Sequence, residues 1–510
     1  MELLIALDRT SARPLQVQLY EEMRRLILGG ILKPGQQLPS SRQVADQLAV
    51  ARNTVVLSYD RLILEGYVTS RLKAGIFVND SLPDAAVLVR NGHAAVSAVK
   101  DRVRLGKIPP FTGRSPELWR DQHVRPQLDL FVGRPRPKSF PLTFWRRSAT
   151  RNLLRSNLLQ TEYGDPRGLP RLRQAIAEHL RGARGISASP DQILITSGIQ
   201  GALNLLARIF LAGRNPQRVA VENPCYQGAA YLFSSYGARL HPIDVDEQGL
   251  MVSQLERYTG TLIYVTPSHQ FPTGYTMSLD RRLHLLDWAY RTGAYILEDD
   301  YDSDFRYDGP PLTALAGIDQ RGRVIYLGTF SKSIGASMRL GYVVLPQHLL
   351  EQGRIVKSLL DNGAPWLEQT VLADFIEQGE FLRHLRRIRQ SYLVGRDALV
   401  EAIHEHFPGS TLSGAEGGMH LMWQLPPHGP DALEMQRLAL TAGVGLHSLP
   451  SAAAYEFKSR PRYGARSLVL GYPSLTAPEL REAVRRVAAA VAGARDDVRS
   501  PPPVKKPIRK

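Results

Sequence analysis

Cysteine is almost missing: Cys225 stands alone in 510 residues, which excludes an intrachain disulfide framework and the small secreted folds that depend on one. Long hydrophobic runs are missing too. Charged residues interrupt every apolar segment before the roughly 18 to 20 residues a membrane helix needs. The start, MELLIALDRT, offers neither a basic leader nor an apolar stretch long enough for export. A soluble, cytoplasmic chain with no membrane partner is expected. Acidic residues are the scarcer sign, 48 against 64 lysines and arginines, for a formal net charge of +16. That excess suits a polyanion such as nucleic acid, and suits equally an arginine-rich chain with solvated basic faces. No internal repeat is present.

With 43% hydrophobic residues, the chain can build more than one buried core, and its length predicts two or more folded units. Pattern divides it into residues 1–79, dense in helical periodicity; 80–126, an irregular linker; 127–495, where apolar runs alternate with helices; and 496–510, a basic, proline-rich tail expected to be disordered. In the first zone, Leu15, Leu19, Met23, Leu26 and Ile27 share a helical face that ends at Gly29-Gly30. The stretch LPSSRQVADQLAVARNTVVLSYDRLILEGYV then predicts two helices about a short turn, with Ser40 or Ser41 as cap. This is helix-turn-helix geometry, in which the second helix presents its first residues to base edges. Arg52, Asn53 and Thr54 are the natural readers, with Ser41 and Arg42 at the start of the preceding helix for phosphate or base. YVTSRLKAGIFV reads as a wing of two strands about Lys73 and Gly75.

The third zone carries strand-like runs (QILIT, RVAVE, TLIYVT, AYILED, RVIYLGT) separated by helical segments, the pattern of a largely parallel sheet. GTFSKSIGASMRLGY places Lys332 just after one such run, where a lysine among small residues is placed for a Schiff base with an aldehyde cofactor. A lone loop lysine is ordinarily just solvated; its company decides. YILEDDYDSDF delivers acids at a strand's carboxyl end, with Asp299 suited to a pyridine nitrogen and Tyr301 to a ring hydroxyl. Glu298, Asp302 and Asp304 serve as well to cap the strand and pair with arginines. TSGIQGALNLLA opens a helix whose amino terminus favours an anion, so Ser197, Gly198 and Ile199 would wrap a phosphate, helped by Thr329, Ser331 and Arg339. Tyr226 is placed to stack on the ring, and Cys225 beside it reads as a small filler. No metal site is read.

Residues 11–79 resemble the GntR winged-helix regulators, with Ala51 for the family's serine and Ile76 for the wing threonine. Residues from about 127 to 495 resemble fold type I aminotransferases in the order YGDPRGLPRLRQAIAEHL, TSGIQGAL, ENPCYQG, SHQFPTG, EDDYDSDF, GTFSK, RLGY. Joined on one chain, the two resemble the MocR family. The resemblance implies a multidomain protein, an α+β winged helix-turn-helix followed by an α/β fold type I domain. It further implies pyridoxal 5'-phosphate on Lys332, double-stranded operator DNA, a small-molecule effector (pyridoxal phosphate or an amine), and a head-to-tail homodimer. Two departures stand out. Phe271 replaces the asparagine of the aminotransferase NPTG turn, and Val469 replaces the arginine that forks a substrate carboxylate, leaving Arg466 as the nearest substitute. A regulator is therefore expected over the alternative, a working aminotransferase with an accessory DNA-binding domain.

Overall fold

The computed structural model describes residues 5–11, 13–71, 74–80, 82, 126–155, 161–213, 215–307 and 312–499. Most of the expected linker, the tail from Ser500 onward and Lys73 of the wing lie outside them. The chain divides into two compact units, Met1–Gly106 and Lys107–Lys510.

In the first unit, α1 (Leu15–Leu28), α2 (Ser41–Leu48) and α3 (Arg52–Leu64) precede an antiparallel hairpin of β1 (Val68–Arg71) and β2 (Gly75–Val78). The predicted apolar face of α1 is buried at Leu19, Met23, Leu26 and Ile27, against Val44, Val55, Tyr59 and Leu62 of the next two helices. Ser40, not Ser41, caps α2: its hydroxyl accepts from the Gln43 amide while the Gln43 side chain returns to the Ser40 amide. Ala49 turns the chain in the left-handed region, and α3 starts on Ala51 with no side-chain cap. The wing closes on Gly75, whose φ is +112°. A β-carbon there would meet the Gln37 amide nitrogen at 2.7 Å, the same nitrogen that donates to the Ala74 carbonyl at 2.6 Å.

The second unit is built on an eight-stranded sheet in the order β4-β12-β11-β10-β9-β5-β7-β8. The strands are β4 (Ile193–Thr196), β5 (Arg218–Asn223), β7 (Arg239–Asp246), β8 (Gly249–Leu250), β9 (Leu262–Val265), β10 (Tyr295–Asp300), β11 (Val324–Thr329) and β12 (Gly341–Val344); the two-residue β3 (Leu128–Asp129) and β6 (Cys225–Tyr226) lie outside it. Strands β11, β10, β9, β5 and β7 run parallel, while β12 opposes both its neighbours. Central strands are buried along almost their whole length because helices cover both faces: Leu262 and Tyr264 of β9 join one apolar cluster, Ile263 and Val265 the other.

A smaller antiparallel sheet orders β13 (Thr411–Ser413), β14 (His420–Gln424) and β17 (Ser467–Gly471). Strand β3, the first element after the expected linker, pairs in parallel with β15 (Val444–Gly445), and a buried Asp129 to His447 contact of 2.7 Å pins it. The last helix, Ala477–Arg499, continues through residues 496–499, which the sequence reading gave to the tail. No helix among the described residues is long and apolar enough to cross a membrane.

Candidate cofactor site and DNA-binding face

Parallel strands leave their carboxyl ends on one side, where loops gather around a ligand. Here β10 and β11 end beside the amino terminus of the helix Gly198–Leu211, which follows β4, and enclose a cavity of about 320 Å³. Alternation along β10 sends Asp299 to the same face as Leu297, where Tyr264 of β9 donates to its Oδ2 at 2.6 Å. Its Oδ1 is buried without a partner. Burial pushes Asp299 up to about 7, and the Tyr264 hydroxyl opposes that rise. Glu298 points to the other face and accepts the Leu315 and Ala316 amides at 2.8 and 2.9 Å, while Asp300 pairs with Arg184 at 2.7 Å. Those two acids are structural.

Lys332 follows β11, and its Nζ donates to the Gly133 carbonyl at 3.3 Å. Burial lowers its pKa, more than the carboxylates Asp302 and Asp299 raise it, which favours the neutral, nucleophilic amine. At the other end of the cavity Ile199, Thr329, Ser331 and Arg339 line the wall. Thr329 Oγ1 lies 3.0 Å from Ser331 Oγ and accepts the Ser331 amide at 3.1 Å. Arg339 donates to the Ser197 carbonyl at 2.7 Å, and a β-carbon on Gly198 would come within 3.2 Å of its guanidinium. Ser197 and Gly198 themselves stand behind Arg339 at the helix terminus and do not line the cavity.

Tyr301 and Tyr226 both face the cavity. Tyr301 donates to the His269 carbonyl at 3.0 Å, and Tyr226 stands edge-on to Phe271 with ring centres 6.2 Å apart. Cys225 is buried against apolar neighbours, and burial raises its thiol pKa, as suits a filler.

Several lining residues gave no local signal in the sequence: Tyr264, His420 and the run Phe131 to Gly133. They arrive from distant strands and loops.

One expectation is overturned. Arg466 donates to the Pro426 carbonyl and, at 3.4 Å, to that of Pro430, and it does not line the cavity. It lies in the turn just before β17, outside the strand, and its guanidinium is spent on those loop carbonyls. Val469 itself is fully buried in an apolar cluster with Phe271, Met422 and Leu449, against which Val132, Tyr226 and Tyr301 pack.

In the amino-terminal unit, Arg52 and Asn53 open α3 exposed, with Thr54 half-buried behind them. Arg42 is exposed on the first turn of α2, and Ser41 accepts from Arg52 Nε at 3.3 Å, a contact that holds the arginine beside the start of α2. Gly75 is occupied in closing the wing.

Comparison with known proteins agrees with both architectures. Residues 15–78 match the bacterial regulatory proteins of the gntR family, and residues 125–487 match aminotransferase class I and II. The chain is 36% identical over 492 residues to the probable rhizopine catabolism regulatory protein MocR of Rhizobium meliloti, covering 96% of each.

This chain belongs to the MocR family of transcription regulators.

The family member PdxR of Corynebacterium glutamicum, a pyridoxine biosynthesis transcriptional regulator, is 33% identical over 422 residues, covering 82% of this chain and 85% of its own. Among solved structures, Pyrococcus horikoshii kynurenine aminotransferase superposes with a TM-score of 0.65 at 29% identity, covering 77% of this chain and 99% of its own. The aminotransferase fold implies pyridoxal phosphate, and the donor set fits it. A buried carboxylate oxygen without a partner awaits a ring N–H, a lysine whose pKa burial lowers stands between the two ends, and an arginine beside a helix amino terminus suits a phosphate.

Proposed function

We propose that this MocR-family regulator binds pyridoxal phosphate on Lys332 and senses either the cofactor itself or an amine adduct of it. Residues 1–79 form the DNA-binding domain and 127–495 the sensor. It acts in the cytoplasm as a head-to-tail homodimer, controlling genes of vitamin B6 or amino-compound metabolism. The names of its relatives span both kinds of target.

When bound, pyridoxal phosphate supplies an aldehyde that condenses with a primary amine. The chain's own residues hold it: Asp299 at the ring nitrogen, Tyr301 at the ring oxygen, Tyr226 against the ring, and Arg339 with the helix terminus at the phosphate. The observation that carries the proposal is the distribution of cations. Among the cavity-lining residues the lysines and arginines are Lys332 and Arg339, both committed to the cofactor. With Val469 buried and Arg466 turned away, no further guanidinium among the described residues lines that wall to fork an α-carboxylate, so an amino acid is poorly positioned for turnover. This favours a sensor over an aminotransferase with an accessory head.

A second feature supports signalling. Gly133, which accepts from Lys332, lies four residues beyond β3, the strand on which the chain enters this unit. Capturing the lysine amine changes what it can donate to that segment.

An absorbance spectrum tests the proposal. Purified protein should gain a band at the visible edge when pyridoxal phosphate is added, and Lys332→Ala should abolish it. A band that persists in Lys332→Ala would show the wrong lysine was chosen, and no band in the wild type would end the proposal.

A further inference from the structure

Phe271 occupies the place where aminotransferases keep the asparagine that helps hold the ring oxygen. It has no polar group to offer, and it packs edge-on against Tyr301 and His420 with ring centres 6.0 and 5.4 Å away. Tyr301 alone would then have to orient its hydroxyl.

It is not alone. Its Oη lies 3.2 Å from Nδ1 of His269, and that same Nδ1 lies 3.0 Å from Asp302 Oδ2. Asp302 also accepts the Met419 amide at 3.1 Å, which fixes the carboxylate in place. His269 and Asp302 are 5% and 3% exposed. Because a carboxylate only accepts, the hydrogen of the imidazole belongs on Nδ1. The other nitrogen agrees: Nε2 is buried with no hydrogen-bond partner, walled by Gly274 and Gly414, whose β-carbons would come within 3.1 and 3.0 Å of it. A hydrogen there would be buried without an acceptor.

Nδ1–H is thus shared between Asp302 and the Tyr301 oxygen. A tyrosine oxygen that accepts from behind directs its own hydrogen elsewhere. In this structure it goes to the His269 carbonyl at 3.0 Å, and a ligand oxygen in the cavity is the competing acceptor. His420 does not compete for this role. Its ring lies nearly parallel to that of Tyr301, 6.4 Å away, its Nε2 reaches the Pro272 carbonyl at 3.2 Å, and burial holds its pKa well below the usual histidine range.

We propose that Asp302 and His269 are positioning residues that hold Tyr301 as a hydrogen-bond donor to the ring oxygen of pyridoxal phosphate, taking over the part of the asparagine lost at Phe271. This rests on the cofactor reading above, and the test separates the two.

The readout is the pH midpoint of the visible absorbance band of the loaded protein. A donor aimed at the ring oxygen favours the high-pH form, in which that oxygen carries the fuller negative charge, so losing the donor raises the midpoint. The other titratable groups facing the cavity, Asp299, Lys332, Arg339, Tyr226, Tyr264 and His420, are the same in every variant compared. His269→Leu and Asp302→Asn should each raise the midpoint by about half to one pH unit, in the direction of Tyr301→Phe. His269→Asn, which keeps an N–H near the Nδ1 position, should return it towards the wild type. Midpoints of His269→Leu and Asp302→Asn unchanged while Tyr301→Phe shifts would overturn the proposal, as would a His269→Asn midpoint no closer to wild type than that of His269→Leu. Should His269→Leu fail to fold, the Asp302→Asn and His269→Asn pair decides alone. A wild type with no band refutes the cofactor reading itself.

Discussion

The cavity wall and the apolar cluster packed behind it are built differently. Around Lys332, Asp299 and Arg339, each group has a partner or a stated reason for lacking one: Tyr264 on the carboxylate, Gly133 on the amine, Ser197 on the guanidinium. Behind Tyr226 and Tyr301, where an aminotransferase would present an arginine, Val469 is sealed in an apolar cluster. The first set fits a cofactor, and the second offers no guanidinium where an aminotransferase orients an amino acid. On the proposed reading, holding and turning over are separable in this fold, and the residues around Lys332 serve the first.

The comparison breaks most visibly at Asp299. Replacing it with asparagine removes the charged partner of the ring nitrogen and should weaken cofactor binding by about 1.5–3 kcal/mol, measured by titrating the visible band. The same change should have the opposite sign on the cofactor-free protein. With its pKa raised to about 7 from the ordinary 3.8, native Asp299 holds a proton that the unfolded chain has lost between those values. Stability therefore falls as pH rises through that window, and the penalty is complete above it. Thermal melts of cofactor-free Asp299→Asn should lie above wild type at pH 8 and converge with it towards pH 4. Equal melting at both would mean the carboxylate is not strained by burial.

A substitution outside the cavity sharpens the comparison. Arg52→Ala, at the start of α3, should weaken a specific operator by about 1–3 kcal/mol if it reads a base, with the visible band unchanged. Equal weakening on random duplex would make Arg52 a phosphate contact. The smallest expected effect is at the apolar wall. An α-amino acid and the amine obtained by removing its carboxylate should perturb the band of the loaded protein at similar concentrations, within about threefold. A forked carboxylate would instead favour the amino acid by roughly tenfold or more, the worth of a charged hydrogen bond.

Much of this was legible in the sequence because the informative residues come in contiguous segments. Asp299 and Tyr301 end one strand, Lys332 follows the next, and both sit beside the helix announced by TSGIQGAL. The helix-turn-helix was equally plain, since its periodicity and caps are local. What escaped comes from neighbouring strands and the loops that follow them. Tyr264 lies in an unbroken apolar run, where nothing marks a tyrosine that will meet a carboxylate one strand away. His269 and Asp302 are separated by 33 residues and meet only because β9 and β10 run side by side. Arg466 misled because closeness in sequence was taken for closeness in space. It sits in the turn before β17, where its side chain bonds loop carbonyls instead of entering the cavity.

The central claim is that occupancy at Lys332 changes what the winged helix does. Linkage requires that a ligand preferring one arrangement of the protein alter DNA affinity, with a coupling of about 1–3 kcal/mol, roughly 5- to 150-fold, typical of such devices. The direct measurement is operator affinity at fixed salt for wild type and Lys332→Ala, each with and without pyridoxal phosphate. The account predicts that the cofactor changes affinity, footprint or bending for the wild type and leaves Lys332→Ala unmoved. Identical affinity, footprint and bending in all four titrations would contradict it.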